Sequence, residues 1–292
     1  MFMGILIGDT YGAAFEFNDS MLVYNNGQKF YDHPSFMASD GSGKPLKSGR
    51  YTDDTQMSIA VAETLLGNSL SQLDFANNFV NCFKRDPIKG YAKGFYQFLL
   101  LQQDGNDFIK NIKPDSTRNG AAMRSVPIGF IKDVDKLKEV CMTQASLTHN
   151  TKIGIDSSII TALMSNYFLY DIGTKKQLLD YLKSHFPEYP FENVWTKPVP
   201  CNGISTVLAV FTAIMSTDTL QDTMIKSVSF GGDTDSVASI ACGIQLCNKN
   251  AHNNFNDELL RTCDNGEYGL NYCLNLDEKL YCKFIENNIQ PE

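Results

Sequence analysis

The chain has 292 residues, 43% hydrophobic and 20% charged, which suits one large globular domain or two small ones with room for a sizeable core. Its net charge of −8 argues against a groove that tracks nucleic-acid phosphates and against an anionic membrane surface. The eight cysteines form no CxxC and no Cys/His cluster with zinc spacing, so they read as free thiols of a reducing, cytoplasmic compartment.

The opening MFMGILIGDTYG is apolar but short. It has no basic leader and carries Asp9 early, so it reads as neither signal peptide nor anchor. No stretch reaches the roughly 18 uninterrupted apolar residues of a membrane helix. Asp9, with Gly8 and Gly12, fits two readings: a group that orients its neighbours, or a by-product of glycine-mediated helix packing. Residues 18–51 then form a long polar loop rich in Gly, Asn, Asp and Ser.

In GRYTDDTQMSIAVAETLL (49–66), Met57, Ala60, Val61 and Leu65 share one face, which predicts a helix over 53–66. Thr52 suits its cap, and Asp53 and Asp54 fall in its first turn. Helical spacing recurs over 73–84, 91–102, 135–146, 157–170, 175–184, 205–216 and 219–228. Loops are expected at 104–120 and at 185–203, the latter holding Pro187, Pro190, Pro198, Pro200 and the only tryptophan, Trp195. Near the end, GGDTDSVASIACG (231–243) opens another helix with Asp233 and Asp235 at its mouth and Val237, Ile240, Ala241 and Ile244 along one face. Strand periodicity is scarce, and no repeat or interdomain linker is visible. The expected fold is all-α: a compact multi-helix orthogonal bundle forming a single domain over 1–292.

One acceptor side chain suffices to cap a helix, yet each of these two mouths carries two acids and adjacent hydroxyls. If the mouths meet in space, four carboxylates converge and raise one another's pKa. Two divalent cations would cancel those charges. Oxygen-only donors favour Mg²⁺, Mn²⁺ or Ca²⁺ over zinc, and paired ions in such sites stand about 3.5–4 Å apart.

At these residues the chain resembles the ADP-ribosylglycohydrolases of the dinitrogenase-reductase-activating and ADP-ribosylarginine-hydrolase type. The resemblance rests on GILIGDTYGAAFEF (4–17), GRYTDDTQM (49–57), RNGAAMRSVPIG (118–129), SLTHN (146–150) and GGDTDSVASIACG (231–243), in the family's order. It implies an all-α fold holding two Mg²⁺ or Mn²⁺ ions. By position the metal ligands would be Thr52, Asp53, Asp54, Asp233, Asp235 and Ser236, with Asp235 bridging. Glu16, Asp54 and Asp233 would be the candidates for proton transfer. Asn119, Gly120, Ala121, Met123 and His149 would contact the ligand, and Arg124 would pair either with a buried acid or with phosphate.

The implied reaction removes ADP-ribose from a protein side chain, with N-linked arginine expected. The alternatives are Ser-linked ADP-ribose, O-acetyl-ADP-ribose, a non-catalytic ADP-ribose-binding or structural member of the fold, and a phosphohydrolase cutting the pyrophosphate. The expected partners are an ADP-ribosylated protein and ADP-ribose, without membrane or nucleic acid, and the expected state is a monomer. Arg118 stands where many members have glycine, and CDNGEYGLNYCLNLDEKLY (263–281) matches none of the family's motifs.

Overall fold

The molecule is built around two helices that are buried on nearly every side, α1 (Phe2–Gly12) and α12 (Thr234–Gln245). The computed structural model describes residues 1–34, 42 and 44–286; part of the long loop expected over 18–51 lies outside the described residues. Between the two central helices in the chain come α2 (Asp53–Leu66), α3 (Gln72–Arg85), α4 (Lys93–Leu101), α5 (Gly105–Asn111), α6 (Gly120–Met123), α7 (Val134–Ala145), α8 (Lys152–Leu169), α9 (Leu178–His185), α10 (Gly203–Ser216) and α11 (Leu220–Ser229). After α12 follow α13 (Asp257–Thr262) and α14 (Leu270–Phe284). Among the described residues there is no strand, only isolated bridges, so the all-α reading holds. No described helix is long and apolar enough to cross a membrane. All eight cysteines are free, and six of them are buried.

Glycine spacing decides how the two central helices meet. Gly4, Gly8 and Gly12 recur every fourth residue and so share one face of α1. A Cβ on Gly4 would stand 2.7 Å from the Cys242 carbonyl carbon, one on Gly8 2.6 Å from that of Ala238, and one on Gly12 2.5 Å from Asp235 Cα. Only bare backbone permits this approach. It lays the C-terminal end of α1 beside the first turn of α12, and so sets Asp9 and Glu16 near Asp235.

Two differences from the sequence reading have physical causes. Residues 104–120 do not form one continuous loop, because α5 interrupts them. Asp104 caps it by accepting from the Asn106 and Asp107 N–H groups at 2.8 and 3.0 Å. Phe108 then enters an aromatic cluster with Phe79, Phe95 and Phe98, at centroid separations of 6.1, 6.2 and 5.1 Å. Seven residues with one buried large side chain show no 3.6-residue period. Asp104→Ala is expected to lower stability by about 1 kcal/mol, read as a lower urea midpoint at unchanged slope.

The second difference is the C-terminal region, which the sequence left unread. Helix α14 buries Cys273, Leu276 and Leu280 and packs on α1 and α2. Tyr272 donates to Glu63 of α2 at 2.5 Å. Asp264 takes one Arg50 guanidinium nitrogen while Asp86 takes the other, and the Asp264 N–H donates to Gly49 O at 2.8 Å. The segment therefore braces the run that leads into Thr52, Asp53 and Asp54.

Candidate active site

The two acidic mouths meet. Asp53, Asp54, Asp233, Asp235 and Ser236 all line one cavity, together with Glu16. Carboxylate oxygens of Glu16, Asp233 and Asp235 lie within 4.8 Å of one another. The Gly-Gly pair before Asp233 makes this possible. Gly231 and Gly232 adopt left-handed φ values of +72° and +77°, a region that penalises any Cβ. Gly231 O accepts from Val199 N–H at 3.0 Å, Val199 O accepts from Asp233 N–H at 2.9 Å, and Gly232 O accepts from Phe17 N–H at 2.8 Å. The pair is thus clamped between the proline-rich loop and the residue that follows Glu16. Phe17 itself sits at φ +46°, a strained position for an aromatic residue.

Asp9 explains why the neighbouring acids are not spent on capping. Its carboxylate accepts from Thr52 N–H at 3.0 and 3.1 Å, Thr52 Oγ1 at 2.7 Å, Thr55 N–H at 3.0 Å and Thr55 Oγ1 at 2.5 Å. The N-terminus of α2 is therefore capped partly from α1, across the core. Thr52 contributes the local cap, its Oγ1 accepting from Asp54 N–H at 3.4 Å. Thr52 is fully buried and does not line the cavity. Asp9 fulfils both of its sequence readings: it orients the α2 mouth and rides on the glycine-packed helix. At α12, Asp233 makes no side-chain cap bond; it accepts from Asn119 Nδ2 at 3.0 Å.

Burial pushes the Glu16, Asp54 and Asp235 carboxyls well above the usual carboxylate range, and neighbouring acids push them further. Asp53, only half-buried by exposure, is raised by the same two causes. Asp54 Oδ1 is buried with no hydrogen-bond partner. Crowded carboxylate oxygens, one of them buried without a donor, fit a hard divalent cation.

The opposite wall is built from α6 and the His149 segment. Arg124 is buried. Its Nε donates to Gln144 Oε1, and its Nη2 donates to Gln144 O at 3.1 Å and to Thr148 Oγ1 at 2.9 Å. The guanidinium stands 4.5 Å from the Phe79 ring centre, and burial lowers its pKa to about 9. It pairs with an amide, a carbonyl and a hydroxyl rather than with the buried acid or the phosphate weighed from sequence, and it also lines the cavity.

Thr148 Oγ1 accepts from Arg124 at 2.9 Å and lies 2.6 Å from His149 Nδ1, which fixes the orientation of the ring. Burial, with the nearby Arg124 charge, lowers the imidazole to about 3, so it is neutral. A Cβ on Gly120 would stand 2.9 Å from His149 Cε1; glycine is what lets the ring sit over the start of α6.

Asn119, Gly120, Met123 and His149 line the cavity, whereas Ala121 is buried behind its wall. Arg118 and Lys113 stand exposed at its edge. The sequence reading missed three participants. Val199 and Cys201 come from the proline-rich loop. His33, in the long polar loop, places Nε2 3.0 Å from Glu16 Oε2. A single histidine in an aperiodic loop carries no signal of such a contact.

A family model described as ADP-ribosylglycohydrolase matches residues 1–245. The chain is 28% identical over 308 aligned positions to the ADP-ribosylhydrolase ARH3 of Gallus gallus, covering 82% of each. It is 25% identical to the ADP-ribosyl-dinitrogen reductase glycohydrolase of Rhodospirillum rubrum, covering 82% of this chain and 81% of that one. It is 22% identical to the ADP-ribosylarginine hydrolase Tri1 of Pseudomonas putida, covering 82% of this chain and 67% of that one. A solved structure titled ADP-ribosylglycohydrolase-related protein complex superposes with a TM-score of 0.71 at 21% identity, over 96% of this chain and 95% of that one, which supports the fold.

Proposed function

The chain belongs to the ADP-ribosylglycohydrolase family, and on that premise we propose that it hydrolyses the glycosidic bond joining the anomeric ribose carbon of ADP-ribose to a protein side chain, with arginine as the attachment. The observation that carries this reading is the convergence of the Asp53–Asp54 and Asp233–Asp235 mouths on one cavity whose far wall is Asn119, Gly120 and His149. Two Mg²⁺ or Mn²⁺ ions fit the acids; Asp53, Asp54, Asp233, Asp235 and Ser236 would hold them from the cavity wall, while Thr52, whose hydroxyl is engaged by Asp9 and the Asp54 N–H, stands behind that wall. When bound, such cations offset the clustered negative charge and polarise the hydroxyls and water they contact.

The protein's own groups do the rest. Asn119, tied to Asp233, and Gly120, with His149 over it, form a wall of small groups against which a ribose and its diphosphate lie. Ala121 and Met123 set the spacing of that turn, and His149 offers a neutral imidazole. Glu16, Asp54 and Asp233 face the same space, placed to transfer a proton to or from the reacting water and the leaving nitrogen. Arginine as the attachment is in keeping with the ADP-ribosylarginine hydrolase among the similar chains.

The test uses purified full-length chain, Mg²⁺, and a panel of peptides carrying ADP-ribose on Arg, Ser or Cys. Release of free ADP-ribose from the Arg peptide in preference to the others is expected. Preference for the Ser peptide moves the attachment but keeps the reaction. Tight binding with no release assigns the chain to the non-catalytic readers of ADP-ribose, and release of AMP makes it a phosphohydrolase.

A further inference from the structure

We propose that His33 is a positioning residue that holds the Glu16 carboxyl toward the cavity. Its bearing on rate rests on the function proposed above; the pairing itself does not.

Glu16 sits at a junction whose backbone is fixed on both sides. It follows the 3-10 turn Ala13–Phe15 at the end of α1, and the next residue, Phe17, is locked by its N–H bond to Gly232 O. The side chain is different. Three rotatable bonds let its carboxyl face Asp233 and Asp235 or swing away, and repulsion from Asp233 and Asp9 favours the second. Its carboxyl instead meets His33, with Glu16 Oε2 3.0 Å from Nε2.

His33 is itself held. It is 2% exposed, and its N–H donates to Leu46 O at 2.9 Å, which pins the two limbs of the long loop together. Phe30 is buried beside it in sequence, and the Tyr31 ring meets Phe15 edge-on at 6.0 Å. The same short segment thus packs over the residue before Glu16 and places the imidazole against its carboxyl. Among the described residues, the side-chain partner of the imidazole is the Glu16 carboxyl. An imidazole is also a suitable tether chemically. It supplies one directed hydrogen bond without the permanent charge of a lysine or arginine, which would compete with a cation for the same carboxylates.

His33→Ala should lower kcat on the Arg-linked peptide by about tenfold or more, within the range of a proton-transfer group, with KM changed less than about threefold. His33→Gln places an amide N–H at similar reach and should recover most of the loss. In a Glu16→Gln background, His33→Ala should add nothing further, because both changes act on one group. A second readout is independent of turnover. The chain has four histidines, so their ring nitrogens are resolvable by ¹⁵N NMR, and Glu16→Gln should shift those of His33 while leaving those of His185 and His252 in place. If wild-type protein releases no ADP-ribose, the functional reading fails, and the NMR shift still decides the pairing. An unshifted His33 ring, or His33→Ala turnover within twofold of an active wild type, overturns the proposal.

Discussion

Asp235→Ala is expected to abolish release of ADP-ribose, lowering kcat by at least about 10³-fold, equivalent to about 4 kcal/mol. The same change should leave the metal-free fold as stable as before, or more so. Asp235 lies in the first turn of α12, where Glu16, Asp54 and Asp233 all push its pKa upward after burial has done so. An acid whose folded pKa is raised disfavours the folded state once pH exceeds its unfolded value of about 4. At neutral pH, without cations, Asp235 therefore costs stability, and deleting it removes that cost. The bond it accepts from Ser236 N–H at 2.9 Å lies within its own turn and is replaceable by water from the cavity.

Thermal unfolding with and without MgCl₂ separates the two effects. A cation that binds only the folded state stabilises by about 2.7 kcal/mol at a hundredfold excess over its Kd. Wild type should show such a rise, and Asp235→Ala should show little or none. Ordinary turnover by this variant, or an undiminished magnesium shift, would remove the acidic mouths from the mechanism.

Gly8→Ala is expected to destabilise the protein and, with it, the cavity. On an exposed helix this exchange gains up to about 1 kcal/mol in propensity. Here the added methyl meets the Ala238 carbonyl carbon at 2.6 Å and Ser239 N at 2.9 Å. Both are backbone atoms of a helix buried along its whole length, so no side chain can turn aside. Overpacking of this kind costs about 1–3 kcal/mol, which outweighs the propensity gain. Relief requires α1 and α12 to part, and that draws Asp9 and Glu16 away from Asp235. The urea midpoint should therefore fall, and the magnesium concentration for half-maximal stabilisation should rise together with it. A variant with both quantities unchanged would show that the glycine face is not the close contact described.

Much of the helical framework was legible before any coordinates. The run 53–66 coincides with α2 because Thr52, two first-turn acids and an apolar face at helical spacing all agree. The expected helix over 157–170 overlaps a longer one, Lys152–Leu169, whose beginning carries Lys152, Gly154 and Asp156 and so breaks the apolar pattern there. Residues 175–184 begin as a 3-10 turn, Lys175–Gln177, before α9. Helix α5 was invisible because an N-cap and one phenylalanine do not make a period.

The sequence by itself determined the all-α class, the positions of the helix mouths and the pairing of acids at two of them, because capping and helical periodicity are local properties carried within a few residues. It also carried the family resemblance. Only the tertiary structure decided that the mouths share one cavity, that Asp9 satisfies α2 from another helix, that Arg124 is held by Gln144 and Thr148, and that His33 reaches Glu16. These contacts join residues far apart in the chain: 17 positions for His33 and Glu16, 43 for Asp9 and Thr52 and 114 for Asn119 and Asp233. Nothing in local spacing encodes such a distance. It is set by how closely two backbones can approach, which the glycines of α1 permit and the packed core then enforces.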